Sequence, residues 1–271
     1  MGRSYDTVSF LSDYGTADEF VGVVHSVIRS IAPHAAVIDI THGVDPHDVR
    51  GGSLALVRAC QYMVPGVVLA VVDPGVGTER RAVAVEVGDG ESILVGPDNG
   101  LLAPAVAMVG GAGRCVSLTE SKYHVESPGA TFAGRDILGP AAAHLCNGVD
   151  LFDLGEEVDP ITLLPGVVPL SQEDTNLGGI RAEILWVDRY GNAQLNVGPE
   201  DLAGWDERIS VKWTDQTRTA KTARTFGELG QGQLGLVLDS YGLYALCFDR
   251  RSAADELRLR PGDGVNLSEA R

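Results

Sequence analysis

VVLAVVDPGVG, residues 67–77, joins a continuous apolar run to a glycine-rich turn. Apolar residues in succession, without polar alternation, are typical of a strand that is buried on both faces. Such strands occur in parallel sheets that are covered by helices. The turn begins with Asp73, and ligands of these sheets bind beyond the carboxyl ends of the strands. This stretch therefore predicts an α/β domain with Asp73 at its binding edge.

The sequence around this strand alternates between strand-like and helix-like segments. Further strands are predicted at 6–11, 36–40, 82–87 and 92–95, and helices at 18–31, 45–64, 102–109 and 137–147. In the first helix, apolar residues recur at steps of three and four. The alternation predicts an α/β N-terminal layered domain over residues 1–165.

The rest of the chain has a different pattern. Pro, Gly and polar residues predict a linker at 166–179. Short strand-like runs follow at 180–187, 209–213, 233–238 and 243–248, separated by turns. They predict a small all-β C-terminal domain over 180–271, which is either a barrel or a sandwich.

Composition limits the possible partners and location. A net charge of −16 disfavours nucleic-acid binding, because such a surface repels phosphates. No apolar run approaches the roughly 20 residues of a membrane span, so no membrane partner is expected. The four cysteines stand singly in apolar surroundings and predict buried free thiols in a cytoplasmic protein.

Two polar turns follow predicted strands of the first domain. Asp13 and Asp18 lie in one, where carboxylates can accept ribose hydroxyls or meet a ligand ammonium, although Asp18 could equally cap the next helix. Asp73 shares the other turn with Arg80, which can fix the orientation of the carboxylate. A purely structural ion pair at the strand end is an equal alternative.

Other polar segments are weaker signals. His42, Asp45, His47 and Asp48 resemble a metal cluster, but the adjacent Pro46 and helix start favour capping and solvent-facing roles, so no metal is expected. The chain lacks GxxxxGK[ST], HExxH, GxSxG and a clean GxGxxG, which disfavours nucleotide triphosphatases, zinc proteases, serine hydrolases and common dinucleotide enzymes.

A third polar turn lies between predicted strands of the second domain. Tyr190 and Asn192 suit a purine there, since the ring can stack on the base and the amide can bond its edge. An ordinary hairpin loop is the alternative. Asp239-Ser240-Tyr241-Gly242 forms a similar turn.

Five motifs in series resemble one family over nearly the whole chain: FLSDYG (10–15), VDPGVG (72–77), GPDNGLL (96–102), TFAGRD (131–136) and DRYGN (188–192). Together they are similar to the S-adenosyl-L-methionine (SAM) hydroxide adenosyltransferases, or SAM hydrolases, which are related to fluorinating and chlorinating SAM enzymes. The resemblance implies nucleophilic substitution by water at C5′ of SAM, giving adenosine and methionine. It implies an α/β domain, a β-barrel and a homotrimer, with SAM bound between subunits and without a cofactor.

The resemblance also implies roles for individual residues. Asp13 would bind the ribose hydroxyls. Asp73 and Arg80 would handle the water. The remaining substrate-binding residues implied are Asp18, Asp188 and Ser240 near the methionine part, Tyr190 and Asn192 near the adenosine part, and Asn99 and Phe132.

Ala133 departs from the family pattern, which usually has His at this position, in Phe-His-Gly-Arg-Asp. Because the surrounding residues follow the hydrolase pattern, we favour a His→Ala substitution over a natural member that dispenses with the imidazole. His124 is nearby in sequence, but no motif gives it this role. Ala133 also makes a non-catalytic SAM- or adenosine-binding protein the main alternative.

Halide transfer to C5′ is a further alternative, and a protein with an unrelated ligand is another. The resemblance distinguishes the halogenating relatives, which carry Tyr at the position of Asp73. The fluorinating enzyme carries Ser at the position of Gly134 and has an insertion that is absent from this chain. A carboxylate at Asp73 would repel a halide, so hydroxide transfer is expected.

Overall fold

The computed structural model describes residues 2–174 and 178–270, and the chain divides into two units between Val168 and Pro169. The first unit is an α/β domain and the second an all-β barrel, so the predicted fold class is confirmed. The predicted linker, 166–179, remains a prediction. Within it, Gln172–Asp174 forms a short strand, and residues 175–177 lie outside the described part.

The first unit contains a mixed seven-stranded sheet in the order β2-β1-β3-β5-β4-β6-β7. Its strands are β1 Thr7–Ser12, β2 Ala36–Thr41, β3 Val67–Val71, β4 Ala82–Val87, β5 Ser92–Pro97, β6 Cys115–Ser117 and β7 Glu156–Glu157. Strands β2, β1, β3 and β5 pair in parallel, and β4, β6 and β7 add antiparallel pairings. The carboxyl ends of β1 and β3 therefore lie side by side.

Helices cover both faces of this sheet. They are α1 Phe20–Ile31, α2 Val49–Cys60, α3 Ala103–Met108 and α4 Gly139–Cys146. A π-helical turn, Gly134–Leu138, leads into α4, and 3₁₀ turns occupy Gly88–Gly90, Ser121–Tyr123, Leu151–Leu154 and Pro160–Thr162. α1 and α4 pack on one face, while α2 and α3 pack on the other.

β3 lies at the centre of both hydrophobic layers. Val67, Leu69 and Val71 point into the layer shared with α1 and α4. Val68 and Ala70 point into the layer shared with α2 and α3. All five residues of the strand are buried, which confirms the prediction made from its continuous apolar run.

In the second unit, seven strands close into a barrel, because β9 pairs with both β15 and β10. The strands are β8 Gln172–Asp174, which extends the sheet beside β9, then β9 Gly179–Val187, β10 Ala193–Leu195, β11 Arg208–Trp213, β12 Gln216–Ala223, β13 Gly235–Leu238, β14 Tyr244–Cys247 and β15 Gly264–Glu269. The unit also contains helix α5, Ala253–Leu257, and the 3₁₀ turn Phe226–Glu228. Its core is separate from those of the first unit.

Several predicted helices are shorter in the structure. α2 begins at Val49, not at Asp45, because His47 has a left-handed φ of 69° and the Asp48 side chain accepts a hydrogen bond from Gly51 N at 2.8 Å. It ends at Cys60, before the predicted Val64. The segment predicted as one helix over 137–147 is a π-helical turn followed by α4.

The cysteines are free thiols, as predicted. Cys115, Cys146 and Cys247 are buried, whereas Cys60 is half-buried. Within the described ranges, none of the helices combines the length and the apolar character that crossing a membrane requires.

Candidate functional site

Asp73 follows β3 at the carboxyl edge of the first sheet and pairs with Arg80. Arg80 Nε donates to Asp73 Oδ1 at 2.8 Å, and Arg80 Nη2 donates to Asp73 Oδ2. The Asp73 side chain is 6% exposed and the Arg80 side chain 14%. The intervening loop folds back tightly, with Thr78 Oγ1 donating to Gly75 O at 2.6 Å. The guanidinium therefore holds both carboxylate oxygens in one orientation.

Asp13 lies at the same edge, because β1 and β3 are parallel neighbours. Its backbone N–H donates to Val71 O at 3.3 Å. Its Oδ2 accepts a hydrogen bond from the His47 backbone N–H at 2.9 Å. The turn before α2 is thus fastened to the carboxylate of Asp13.

The predicted carboxylates surround one cavity of about 370 Å³. Asp13, Asp18 and Asp73 line it, together with Phe132 and Ala133. The structure therefore brings together five of the residues that the sequence singled out in the first domain. Three of them are acidic, so the cavity favours a cationic ligand.

Aromatic rings form another part of the cavity wall. The rings of Tyr14, Phe20 and Phe132 pack against one another in edge-on or tilted contacts, with centroids between 5.2 and 5.7 Å apart. Burial raises the pKa of Tyr14, and the charges of Asp13 and Asp73 raise it further. The Tyr14 hydroxyl is consequently neutral at physiological pH and keeps its proton.

Ala133 is 6% exposed and precedes the π-helical turn. It lines the 370 Å³ cavity and also a neighbouring cavity of about 570 Å³, which Arg80 and His124 line as well. Position 133 therefore lies at the border between the cavity that contains Asp73 and the cavity that contains Arg80. A larger side chain there would extend into this border.

Asn99 has a structural position at the end of β5. Its Nδ2 donates to Val72 O at 2.9 Å, and its Oδ1 accepts from Leu101 N at 3.1 Å. Both amide atoms thus fix the chain beside the turn that carries Asp73. A contact between Asn99 and substrate stays a prediction.

In the barrel, the turn between β9 and β10 is organised by Asp188. Its Oδ1 accepts from the backbone N–H groups of Tyr190 and Asn192, at 2.9 and 2.8 Å. Its Oδ2 accepts from Asn192 Nδ2 at 2.7 Å. These bonds hold the Tyr190 side chain outward, and the residue is 80% exposed. The segment is a hairpin loop, and that loop presents an exposed aromatic face.

Ser240 lies in the turn between β13 and β14. Asp239 Oδ1 accepts from the backbone N–H groups of Tyr241 and Leu243, at 2.8 and 3.2 Å. The Tyr241 ring packs against Trp186, with centroids 6.3 Å apart. Since Trp186 belongs to β9, this contact connects the turn to the strand that leads to Asp188.

The family models for the two domains of the SAM hydroxide adenosyltransferases match in chain order. The N-terminal model matches residues 8–155 and the C-terminal model residues 182–266. The chain belongs to the SAM hydroxide adenosyltransferase family.

Individual proteins are also similar to this chain over nearly its whole length. An (R)-S-adenosyl-L-methionine hydrolase from Salinispora tropica is 42% identical over 96% of this chain and 97% of its own length. A fluorinase from an Actinoplanes species is 24% identical, with 97% of each chain covered. A crystal structure of an uncharacterized conserved protein from Thermotoga maritima has a TM-score of 0.88 at 30% identity, covering 97% of this chain and all of that one.

Two features of this SAM hydroxide adenosyltransferase fold were missed from the sequence. His47 was expected to have a capping or solvent-facing role, and its backbone N–H instead donates a hydrogen bond to Asp13 Oδ2. His42 was also expected to face solvent and is instead 7% exposed, because its ring packs on Phe10 at a centroid distance of 4.7 Å. The polar segment after β2 lies at the same sheet edge as Asp13, and this position is the sequence signal that could have indicated both contacts.

Proposed function

We propose that this chain hydrolyses S-adenosyl-L-methionine at C5′, producing adenosine and L-methionine. The Asp73–Arg80 pair carries the proposal, because it holds an oriented carboxylate at the edge of a cavity large enough for a ligand. Membership of the family and the Salinispora tropica hydrolase support the same substrate and reaction.

The charge and size of the cavity suit SAM. The substrate carries a sulfonium and an ammonium, and the cavity is lined by the carboxylates of Asp13, Asp18 and Asp73. Its volume of about 370 Å³ is within the range of roughly 300–1,000 Å³ that is usual for small-molecule sites. Electrostatic complementarity of this kind also selects SAM over adenosine and methionine, because neither product carries the sulfonium charge.

The reaction needs little covalent chemistry from the protein. A water oxygen forms a bond to C5′ as the C5′–S bond breaks, and the bond pair leaves on sulfur as a neutral thioether. One proton is released from the water oxygen. Alignment of the water behind C5′ can supply on the order of 7–11 kcal/mol. We assign this alignment to Asp73, which accepts a hydrogen bond from the water, and Arg80 holds Asp73 in place.

Asp13 is proposed to bind the ribose hydroxyls. One of its oxygens already accepts the His47 N–H, and an ionised carboxylate offers about four lone-pair sites in all. The remaining sites can accept two vicinal hydroxyls. The neutral Tyr14 hydroxyl in the same wall adds a group that can donate.

Ala133 is expected to reduce the rate more than the affinity. The family's imidazole would extend from position 133 into the border between the two cavities, beside Asp73 and Arg80. There it would hold the water or relay its proton, and general-base help is typically worth about 10²–10⁴-fold. The Asp13, Asp18 and aromatic parts of the cavity do not depend on it.

The barrel residues are proposed to complete the site from a neighbouring subunit of a homotrimer. Asp188 and Ser240 would join Asp18 near the methionine part, and Tyr190 and Asn192 would contact the adenosine part. The exposed Tyr190 ring supports this, because it offers a stacking face to a purine. With both chains carrying Ala133→His, mixing an inactive Asp13→Asn chain with an inactive Tyr190→Ala chain should restore adenosine formation if sites are shared between subunits.

We propose that the reaction requires no metal and no organic cofactor, since the sulfonium is already an activated leaving group. We also propose a cytoplasmic location. The four free thiols support a reducing compartment.

The second candidate is a SAM-binding protein without turnover, which Ala133 favours. Halide transfer, the activity in the name of the Actinoplanes relative, is less well supported, because the carboxylate of Asp73 lines the cavity and would repel a halide.

One experiment separates these functions. The chain and its Ala133→His variant are incubated with SAM, with and without chloride, and nucleosides and methionine are resolved by chromatography. Adenosine from the variant, with little from the parent chain, supports hydrolysis and the role of position 133. A halogenated nucleoside would indicate halide transfer. Tight SAM binding without product from either protein would indicate a binding protein.

A further inference from the structure

His25, Asp39 and His42 form a cluster at the edge strand β2, and no step of the proposed reaction uses it. His25 comes from α1, Asp39 from β2, and His42 from the turn that follows β2. One ligand atom from each residue lies within 4.8 Å of the other two. We propose that these three side chains bind a divalent transition-metal ion, and that Zn²⁺ is its natural occupant.

The directions of the side chains favour a shared ion over simple ion pairing. His25 Nε2 lies 2.8 Å from Asp39 Oδ1, and His42 Nε2 lies 3.0 Å from the same oxygen. Nevertheless, His42 Nε2 is buried, and its contact with Asp39 does not meet the geometry of a hydrogen bond, so the atom has no such partner among the described residues. A metal in front of Nε2 and Oδ1 would satisfy both atoms.

A second layer of contacts fixes the most buried ligand. His42 Nδ1 is 2.7 Å from Ser12 Oγ, in a buried contact. Metal-binding histidines usually bond their other ring nitrogen in this way, which sets the tautomer and the ring orientation. The His42 ring is further held by Phe10, at a centroid distance of 4.7 Å.

The ligand set identifies the metal class. Two imidazole nitrogens and one carboxylate oxygen are typical ligands of Zn²⁺, which is bound tetrahedrally with one position left for water. Ca²⁺ and Mg²⁺ prefer oxygen ligands and fit this set poorly. His25 and Asp39 are partly exposed, so an ion can enter from the surface.

The location predicts what the ion would do. His42 O accepts a hydrogen bond from Gly15 N at 2.8 Å, and Ser12 immediately precedes Asp13. An ion on His42 would therefore stabilise the Ser12–Gly15 turn, which carries the proposed ribose ligand. The metal's effect is on the stability of this turn and not on the reacting atoms.

Zn²⁺ binding to the full-length chain without a histidine tag would be measured by isothermal titration calorimetry. We expect saturable binding of one ion per chain, an increase in melting temperature, and slower exchange of the Gly15 amide. Bound Co²⁺ should give a visible spectrum of a tetrahedral site with nitrogen and oxygen ligands.

His25→Ala and Asp39→Asn test the ligands without opening the core, because both side chains are partly exposed. Each should weaken Zn²⁺ binding by more than about 100-fold, and Ser12→Ala by roughly 10–100-fold. His34→Ala is the matched control, since His34 is an exposed histidine outside the cluster. Absence of binding by the parent chain, or binding that is unchanged by His25→Ala and Asp39→Asn, would overturn the site. None of these readouts depends on SAM hydrolysis.

Discussion

Replacement of Gly134 by alanine should destabilise the first unit through one clash. A methyl group built on Gly134 would overlap the Tyr14 hydroxyl oxygen and lie 3.2 Å from Tyr14 Cζ. The hydroxyl would have to move by roughly 1 Å to reach an ordinary separation. The Tyr14 ring cannot do so freely, because Phe20 and Phe132 pack against it at 5.7 and 5.6 Å.

Overpacking of this kind typically costs about 1–3 kcal/mol. We therefore expect Gly134→Ala to lower the free energy of unfolding by that amount, or the melting temperature by about 2–4 °C per kcal/mol. In a Tyr14→Phe background the clashing oxygen is gone. The gain of roughly 0.5–1 kcal/mol for Gly→Ala in a helical conformation should then offset the remaining tight contact.

Urea unfolding followed by helical circular dichroism measures all four proteins of this double-mutant cycle. The tryptophans report on the other unit in the same sample, since Trp186, Trp205 and Trp213 all lie in the barrel. Gly22→Ala is the matched control, because its added methyl meets nothing within 4 Å and should be neutral or stabilising. Equal destabilisation by Gly134→Ala in the parent chain and in the Tyr14→Phe background would refute the steric argument.

Three further predictions concern other parts of the molecule. Arg80→Lys, made in the Ala133→His chain, should lower the rate of adenosine formation by about 10–100-fold with SAM affinity little changed, because lysine cannot hold both oxygens of Asp73. Steady-state kinetics measure the rate and calorimetry measures the affinity. An unchanged rate would contradict the prediction. Gly191→Ala should destabilise the barrel by at least about 1 kcal/mol, because Gly191 has a φ of +83° and the added methyl would overlap Ser252 Oγ. Tryptophan fluorescence during unfolding measures this loss of stability. In native protein near pH 8, thiol titration should label at most Cys60, because burial raises the pKa of the other three thiols to about 11 or 12, and all four should react after unfolding.

Burial that leaves a simple pattern in the sequence made some strands predictable. β3 was evident because both of its faces are buried. β12 was missed, since its sequence, QTRTAKTA, is polar and its first four residues are exposed. β15 was missed as well, because only Val265 and Leu267 mark its buried face. Pairing with neighbouring strands, which no single segment encodes, defines both.

The sequence predicted those parts of the candidate site that are formed by side chains. Asp13 and Asp73 follow parallel strands, so the sheet itself brings them to one edge. The contribution of His47 is a backbone N–H in a left-handed turn, which leaves no side-chain signature. In the barrel, the side chains of Tyr190 and Asn192 themselves suggested a purine contact, whereas the roles of Asp188 and Ser240 came only from the family resemblance, because their turns also suit ordinary hairpins.

The two-sided burial of β3 has a consequence for dynamics. Asp73 lies just after β3, whose residues alternate between two hydrophobic layers. A local fluctuation that displaced β3 would have to open both layers, so it requires nearly the whole free energy of unfolding of the unit. The amide protons of Val67–Val71 should accordingly exchange with deuterium among the slowest in the chain. The turn that carries Asp73, the proposed partner of the attacking water, therefore begins at a persistent part of the fold, whereas substrate entry can depend on motion elsewhere.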